Sequence, residues 1–324
     1  MSRIRASGAA VLLAAFAAGA GAQQYPTRSI SMVVPYAAGG PTDTVARVTA
    51  QAMGKPLGQT VIVENRPSAG GILGPEYVKN AKADGYTILI HHIGMATTPT
   101  LYRKLRFNPL TDFEYIGLIN EVPMTVIGKP NLPAKDMKEL VAYIKANKDK
   151  VTYANAGIGA ASHLCGMLFM SAIQTDVLTV PYKGTAPAMN DLLGGQVDFM
   201  CDQTTNTTSQ IKSGKVKAYG ITSAKRAPSL PEVPTMQEGG VKGAEVGIWH
   251  GLYAPKGTPK PVLDKLVASL QEALKDGDVR KRFADLGAET FAADKQTPAA
   301  LQAHLKAEID KWAPLIKKAG QYAD

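Results

Sequence analysis

Two stretches of this chain join an apolar strand, a glycine turn and the first residues of a helix. The first stretch is Ser31–Ala46, which turns at Gly39 and Gly40, and the second is Val151–Leu164. Glycine lets the backbone turn tightly and approach a bound molecule closely. The first N–H groups of a helix lack partners within the helix and carry partial positive charge, so they bind carboxylates and other anions. Two such turns predict two lobes that share one anion-binding cleft.

Three polar side chains beside these turns each have two interpretations. Asp43 is either an ordinary stabilising charge in the first turn of a helix or a group that organises backbone donors and water around a ligand. Ser162 is interpreted as the N-cap of its helix, with or without a contact to the ligand. Lys183 either pairs with a ligand carboxylate or is a solvated charge at the rim. The residue types alone leave these alternatives open.

Two histidines, His91 and His92, follow each other on a predicted strand. Neighbouring strand residues point to opposite faces, so at most one of the two rings faces the cleft directly. The other is expected to be a core histidine whose hydrogen bonds are satisfied.

The motifs give little support to catalysis or to a cofactor. Ser162 and His163 are adjacent on a predicted helix, where neighbours do not face each other, and the sequence has no Gly-x-Ser-x-Gly elbow. The turn at Gly157 and Gly159 lacks the third glycine of a dinucleotide fingerprint. Neither Cys-x-x-Cys nor His-Glu-x-x-His is present, so no metal is expected.

The chain has two cysteines, Cys165 on a predicted helix and Cys201 at the end of a predicted strand. An exported protein can oxidise such a pair. A disulfide and two buried thiols are both compatible with the sequence.

Strands and helices alternate, which predicts an α/β fold with a mostly parallel sheet. The expected strands are Ser31–Pro35, Thr60–Glu64, Thr87–His91, Met124–Gly128, Val151–Ala154, Leu178–Pro181, Val197–Cys201, Val216–Thr222 and Ile248–Tyr253. The expected helices are Thr42–Leu57, Gly71–Lys82, Asp136–Lys148, Ser162–Ala172, Pro187–Leu193, Pro261–Leu274, Val279–Leu286 and Pro298–Lys318. The last helix carries an apolar stripe that is interpreted as core, namely Leu301, Leu305, Ile309, Trp312 and Ile316.

Residues 1–22 have the pattern of a secretory signal peptide. Arg3 and Arg5 precede an apolar run, Gly8–Ala20, and Ala20-Gly21-Ala22 forms a small-residue cleavage site. A retained membrane anchor is the alternative. The remaining chain of about 300 residues is expected to be exported and is long enough for two lobes with their own cores.

The formal net charge of +9 suits an anionic ligand in a cleft, although it also fits a solvated basic surface. The lysines and arginines are scattered and are not interleaved with aromatic residues. Nucleic acid is therefore not an expected partner.

Two segments are predicted to cross between the lobes, near residues 119–124 and 223–226. The first lobe is then residues 23–122 plus 225–324, and the second lobe is residues 123–224. Two crossings form a hinge, and ligands favour the cleft between lobes joined in this way.

Seven motifs follow one another along the chain, namely Val34-Pro35-Tyr36…Gly39-Gly40…Asp43, Val63-Glu64-Asn65-Arg66…Gly70-Gly71, Ala83-Asp84-Gly85-Tyr86-Thr87, Tyr153-Ala154…Gly157…Gly159…Ser162-His163-Leu164, Val180-Pro181-Tyr182-Lys183-Gly184…Pro187-Ala188, Asp191-Leu192…Gly195 and Trp249…Gly251-Leu252…Ala254-Pro255…Gly257-Thr258-Pro259. In this order the chain resembles the Bug-type solute receptors of tripartite tricarboxylate transporters. The resemblance covers nearly the whole chain after residue 22.

The resemblance implies a periplasmic, two-lobe α/β receptor of the type II-like binding protein fold, with mostly parallel sheets, flanking helices and a cleft between the lobes. Such a receptor, expected to be a monomer, captures a small carboxylate and delivers it to membrane permease subunits, without cofactor, metal or catalysis. The implied first-lobe contacts are Tyr36, Gly40, Thr42 and Asp43. The implied second-lobe contacts are Gly157, Ala161, Ser162 and His163. The expected rim of the second lobe holds Tyr182, Lys183, Gly184 and Asp202.

The chain departs from the family pattern at two places. The segment from His91 to Thr97 stands where small residues are usual, and His250 follows Trp249 where another apolar or aromatic residue is common. Rings there suit an aromatic or similarly flat dicarboxylate such as terephthalate, with His92, Thr97, Trp249 and His250 around its far end. The alternative is that Trp249 belongs to the core and His250 is satisfied internally.

Two other functions stay open. An extracytoplasmic sensor subunit would share the fold and differ in its membrane partner. A periplasmic hydrolase would need a nucleophile, a base and an orienting group within hydrogen-bond reach, and no spacing in the sequence suggests such a triad.

Overall fold

The computed structural model describes residues 25–320, 322 and 323, so the predicted signal peptide, residues 1–22, lies outside the described residues. The strands are β1 Ile30–Val34, β2 Val61–Asn65, β3 Thr87–His92, β4 Phe113–Gly128, β5 Thr152–Asn155, β6 Leu178–Pro181, β7 Phe199–Gln203, β8 Lys217–Ile221, β9 Gly247–Pro255 and β10 Glu289–Thr290. The helices are α1 Pro41–Leu57, α2 Leu73–Lys79, α3 Gly94–Leu101, α4 Met137–Ala146, α5 Ala161–Ile173, α6 Thr185–Leu193, α7 Thr204–Lys212, α8 Lys260–Lys275, α9 Gly277–Asp285 and α10 Pro298–Ala319.

The first lobe is built on five neighbouring strands in the order β2-β1-β3-β9-β4. β1 pairs in parallel with β2 and β3, as the alternation of strands and helices predicts. β9 returns from the last third of the chain and pairs antiparallel with β3 and β4. Its register sets His250 opposite His92, so these two rings share one face of the sheet.

A single strand, β4, runs through both lobes and is 16 residues long. It pairs with β9 as far as Pro123 and with β7 and β8 from Met124 onward. The second lobe continues from β7 to β5 and β6, which pair in parallel. The crossing expected near residues 119–124 is therefore one uninterrupted strand.

The chain leaves β8 of the second lobe after Ile221 and enters β9 of the first lobe at Gly247. Thr222 and Val246 lie at the two ends of the segment between these strands. The N–H of Thr222 donates to the Met124 carbonyl, and the Thr222 hydroxyl donates to the Val246 carbonyl, at 2.8 and 2.7 Å. Between them, Met236 N–H donates to the carbonyl of Ile221 in β8, at 2.9 Å. These contacts attach the segment between Thr222 and Val246 to β4 and β8.

The sheet is mixed, whereas the sequence predicts a mostly parallel one. The parallel pairs lie among the outer strands, and every described pair that includes β4 or β9 is antiparallel. The reason is topological. β9 runs opposite to the βαβ strands of the first lobe, and β4 runs opposite to those of the second lobe. Local periodicity carries no information about that direction.

The stripe on α10 is confirmed as core. Leu301, Leu305, Trp312 and Ile316 are buried, and the half-buried Ile309 packs against the same cluster. Among the described residues, no helix combines the length and apolarity that a membrane span requires.

A disulfide joins Cys165 of α5 to Cys201 of β7. Both cysteines are buried, and Cys201 directly precedes Asp202. The bond fastens two elements of the second lobe whose ends lie at the same edge of the sheet. Of the two alternatives left by the sequence, the structure contains the disulfide.

We expect the double substitution Cys165→Ala and Cys201→Ala to lower the free energy of unfolding. The disulfide closes a loop with a sequence separation of 36 residues, and restricting such a loop in the unfolded chain contributes about 3–4 kcal/mol. Urea unfolding of the oxidised wild type and of the variant measures the difference. A change below about 1 kcal/mol would contradict the prediction, and reduced wild type serves as the second comparison.

Candidate functional site

A narrow cavity of about 20 Å³ lies between the two lobes. The first lobe contributes the turn between β1 and α1 and the end of β3, and the second lobe contributes the residues that precede or begin α5, α6 and α7. The residues that line it are Tyr36, Gly40, Pro41, Thr42, His92, Ala156, Ala160, Ala161, Ser162, Thr185, Asp202 and Gln203. No lysine or arginine is among them.

Four helices begin at this cavity. Their N-cap residues are Gly40 for α1, Ala160 for α5, Gly184 for α6 and Gln203 for α7, and none of these caps its helix with a side chain. The first N–H groups of each helix therefore remain without a side-chain acceptor. Their dipoles add a positive potential in the cavity, to which no lysine or arginine of the wall contributes. This arrangement suits a bound carboxylate.

Asp43 stabilises the turn before α1 from the side away from the cavity. The carboxylate of Asp43 accepts hydrogen bonds from Gly39 N–H at 2.9 Å, from Arg47 at 2.8 Å and from Asn65 at 2.9 Å. Burial opposes ionisation, but these hydrogen bonds outweigh it and lower the pKa of Asp43. Gly39 has φ +80°, which glycine adopts without strain. Asp43 thus shapes the backbone of the turn, and it is not among the cavity-lining residues.

The turn before α5 uses Ser162 differently from the sequence interpretation. The N-cap is Ala160, so Ser162 lies in the first turn of the helix. Its Oγ accepts a hydrogen bond from the N–H of Ala156 at 2.8 Å. The N-cap interpretation is wrong because the helix begins two residues earlier, and Ser162 instead closes the preceding loop while lining the cavity.

Of the paired histidines, His92 lines the cavity and His91 does not. Nδ1 of His92 accepts from Gly94 N–H at 2.9 Å, so the ring hydrogen is on Nε2. Burial, with His91 and His250 nearby, lowers the pKa of His92 well below 6.5. The ring stacks on Tyr36 with centroids 4.9 Å apart. His92 is therefore a neutral donor on the first-lobe side.

His91 and His250 lie one layer behind this surface. The Gly71 carbonyl accepts from Nε2 of His91 at 3.3 Å. Nδ1 of His250 lies 3.0 Å from the Asn120 Oδ1, and its Nε2 lies 3.4 Å from the Thr42 hydroxyl. Burial lowers the pKa of His250 to about 3, so this ring supports Thr42 as a neutral group.

The side chains of three further predicted ligand residues lie away from the cavity. Trp249 lies on the opposite face of β9 from His250, where it donates to Glu308 at 3.2 Å and packs in the core. The Tyr182 hydroxyl donates to Asp191 at 2.7 Å, and the side chain of Lys183 is exposed. Of the two interpretations of each residue that the sequence left open, the structure shows a core tryptophan at Trp249 and an exposed lysine at Lys183.

Gly157, His163 and Thr97 lie close to the cavity without lining it. Gly157 has φ +92°, and a Cβ there would lie 2.4 Å from Gly70 N of the first lobe. His163 is buried in the first turn of α5, and Thr97 is buried in α3.

Backbone carbonyls of the second lobe are hydrogen-bonded by the first lobe. Gly159 accepts from the Thr97 hydroxyl at 2.9 Å, and Ile158 accepts from the Tyr102 hydroxyl at 2.7 Å. Ala156 accepts from Gly70 N–H at 2.8 Å, and Lys183 accepts from Ala37 N–H at 3.0 Å. The two lobes therefore meet along the loop 156–159.

Asp202 is a buried carboxyl group in the wall of the cavity. Its Oδ1 accepts from Gln203 N–H at 2.9 Å and its Oδ2 accepts from Asn206 at 2.6 Å. Burial raises the pKa of Asp202 to about 6, against the effect of these hydrogen bonds. Among the described residues, no group of three or more His, Cys, Asp or Glu side chains could hold a metal ion.

Sequence reasoning missed several residues of this site. Thr185 follows a glycine at the start of α6, so the strand–glycine–helix pattern could have found it. Gln203 and the start of α7 carry no glycine signal. Tyr102 is 56 residues from its partner Ile158, and no local pattern connects them.

Two lobes with a cavity between them are the architecture of periplasmic solute-binding proteins. The chain belongs to the tripartite tricarboxylate transporter family receptors, whose sequence model matches residues 45–321. This confirms the resemblance to the Bug-type receptors.

Three solved structures are similar over most of their length. The periplasmic binding protein BugD is 57% identical, with TM-score 0.90, and the match covers 93% of this chain and 100% of BugD. MatC from Rhodopseudomonas palustris, with bound malate, is 40% identical, with TM-score 0.87, over 90% of this chain and 100% of that chain. Another R. palustris protein, solved with adipate, is 32% identical, with TM-score 0.86, over 91% and 98%.

We expect Tyr102→Phe to loosen the contact between the lobes. The substitution removes one hydrogen bond to Ile158, worth about 0.5–1.5 kcal/mol, and keeps the ring. Gly70 N–H bridges the same lobes, so its hydrogen exchange should become about twofold to tenfold faster.

The matched control is Tyr115→Phe, whose hydroxyl donates to Pro109 at 2.9 Å within the first lobe. It should leave the exchange of Gly70 unchanged. Equal acceleration by both variants would show that Tyr102 has no specific role in closure.

We expect Asp202→Asn to stabilise the ligand-free protein, and more so at alkaline pH. The folded pKa of about 6 lies above the ordinary value of 3.8, so the carboxyl contribution to stability is largest in acid and is lost as pH rises through about 6. The gain in free energy of unfolding should be about 1 kcal/mol larger at pH 8 than at pH 5.

Urea unfolding at the two pH values gives this comparison. Asp191→Asn, outside the cavity in the same lobe, is the matched control for removal of a carboxylate. Destabilisation by Asp202→Asn at pH 8 would contradict the prediction.

Proposed function

We propose that this protein is a periplasmic receptor that captures a small dicarboxylate between its lobes and delivers it to the permease of a tripartite tricarboxylate transporter, without turnover. The observation that carries the proposal is the convergence of four uncapped helix N-termini on a closed cavity with no lysine or arginine in its wall. Carboxylates are the anions that such backbone donors bind well without a counter-charge. The malate of MatC and the adipate of its relative belong to the same chemical class.

The two ends of the cavity supply different donors. One carboxylate of the ligand is placed between the starts of α1 and α5, where Gly40, Thr42, Ala161 and Ser162 line the wall. The second carboxylate is placed toward the Nε2–H of His92, which is a donor at neutral pH because the ring is uncharged and its Nδ1 is occupied. A ligand with two carboxylates uses both sets.

An aliphatic ligand fits the wall better than an aromatic one. Trp249, expected to cover a flat ring, faces away from the cavity and is hydrogen-bonded to Glu308. The rings of Tyr36 and His92 already stack on each other. A terephthalate ring in this cavity would therefore lack the apolar contact with Trp249 on which the expectation of an aromatic ligand was based.

Closure gives the receptor its signal to the permease. The first lobe contributes α1 to the ligand and the second lobe contributes α5, α6 and α7, so a ligand contacts all four helix starts only when the lobes are closed. Ligand binding then shifts the population toward the closed form that the hydrogen bonds along loop 156–159 stabilise. The permease can recognise this form.

A thermal-unfolding panel tests the ligand class. We expect malate or adipate to raise the free energy of unfolding by about 2.7 kcal/mol at 100 times its dissociation constant. Acetate tests a single carboxylate, succinamide tests the chain without charge, and citrate and terephthalate test the competing classes.

Acetate and succinamide should give no comparable stabilisation, and no product should form during incubation. The proposal is wrong if no dicarboxylate stabilises the protein, or if citrate or terephthalate binds more tightly than malate and adipate. Isothermal calorimetry on the best ligand should give one site per chain.

A further inference from the structure

Residues 322 and 323, which follow α10 and which we call the strap, pair with the end of α3. The N–H of Ala323 donates to the Leu101 carbonyl at 2.8 Å, and the N–H of Arg103 donates to the Ala323 carbonyl at 3.0 Å. These two bonds form a parallel bridge between Ala323 and Tyr102. The strap therefore holds the backbone on both sides of Tyr102.

A side-chain contact fastens the strap at the same place. The guanidinium of Arg103 lies 5.4 Å from the centroid of the Tyr322 ring, a distance at which a cation is attracted to an aromatic face. α10 also packs along α3, so the strap and its partner extend from two helices that are in contact.

Tyr102 lies where regular structure ends in this part of the first lobe. α3 ends at Leu101, and the backbone of Tyr102 is extended, with φ −100° and ψ 119°. Residues 103–112 then form neither helix nor strand before β4 begins at Phe113. Irregular segments of this kind open more readily than the elements beside them. The strap gives the exit from α3 a second backbone attachment.

The side chain of Tyr102 reaches the other lobe. Its hydroxyl donates to the Ile158 carbonyl at 2.7 Å. A Cβ at Gly70 would overlap both that hydroxyl and the Ile158 carbonyl, so the three groups meet closely. The N–H of Gly70 donates to the Ala156 carbonyl at 2.8 Å. The position of Tyr102 therefore bears on two of the hydrogen bonds that join the lobes.

We infer that the strap is a positioning element for the contact between the lobes. By holding the end of α3, it keeps the Tyr102 hydroxyl on Ile158 and strengthens the contact along loop 156–159. Neither the strap nor Tyr102 lines the cavity. Release of the strap therefore loosens the lobes without altering the wall that faces a ligand.

Hydrogen exchange of the ligand-free protein, measured for single amides by NMR, tests this inference. The variant Ala323→Pro removes the N–H that donates to Leu101. We expect the Gly70 N–H to exchange about twofold to tenfold faster than in the wild type, the effect of weakening one hydrogen bond. The matched control Ala323→Ser keeps both backbone bonds of the strap and should leave the exchange of Gly70 unchanged.

Two further amides distinguish a looser lobe contact from general destabilisation. The N–H of Arg66 donates to Val34 within the first lobe at 2.8 Å, and the N–H of Tyr182 donates to Asn155 within the second lobe at 2.7 Å. Because neither bond crosses between the lobes, both amides should exchange at the wild-type rate in Ala323→Pro.

The variant Tyr322→Ala weakens the strap without altering its backbone. Loss of the ring beside Arg103 should also accelerate the exchange of Gly70, whereas Tyr322→Phe keeps the ring and should match the wild type.

The double variant Tyr102→Phe with Ala323→Pro shows whether the strap acts through the Tyr102 hydroxyl. If it does, adding Ala323→Pro to Tyr102→Phe should change the exchange rate of Gly70 by less than about twofold, because the hydroxyl is already absent. Two independent actions would instead multiply.

The inference is overturned if Ala323→Pro and Tyr322→Ala leave the exchange of Gly70 at the wild-type rate, or if the two amides within the lobes accelerate as much as Gly70. It is also overturned if the effects of Ala323→Pro and Tyr102→Phe multiply. These measurements use the ligand-free protein, so their outcome is independent of whether a dicarboxylate binds.

Discussion

Four helix starts without a side-chain cap are the constraint on which this structure depends. They supply the positive potential of the cavity, since its wall contains no lysine or arginine. Partial charges of this kind are fixed in direction and need no flexible side chain to be ordered on binding. They also must be brought together from two lobes, because α1 belongs to the first and α5, α6 and α7 belong to the second. A molecule that contacts all four helix starts must therefore contact both lobes.

The contact between the lobes also uses backbone groups. The loop 156–159 offers carbonyl groups, and Thr97, Tyr102 and Gly70 of the first lobe donate to them. On the other side of the cleft, the uninterrupted strand β4 and the bonds of Thr222 tie the lobes together. The contact between the lobes uses neutral hydrogen bonds, so salt should affect it little.

The buried titratable groups of the cavity adjust its polarity. Burial keeps His92 and His250 uncharged, so they act as oriented neutral groups at physiological pH. Asp202 is held in the same surroundings although burial raises its pKa to about 6. A group whose charged form is disfavoured by its site in this way costs stability, and such a cost is typical where function requires the group. The disulfide next to it, between Cys165 and Cys201, stabilises the elements that carry it.

The sequence by itself determined the local parts of this protein. The two strand–glycine–helix turns, the alternation of strands and helices, the apolar stripe of α10 and the order of the family motifs follow from residue types and short spacings. The tertiary structure decided which of these parts meet. The register of β9 places His250 beside Thr42 and Trp249 in the core. Packing of the lobes brings α6 and α7 to the cavity. The same packing pairs Tyr102 with Ile158. The physical reason is that periodicity specifies which residues share a face of one element, whereas sheet register and lobe packing specify what that face contacts.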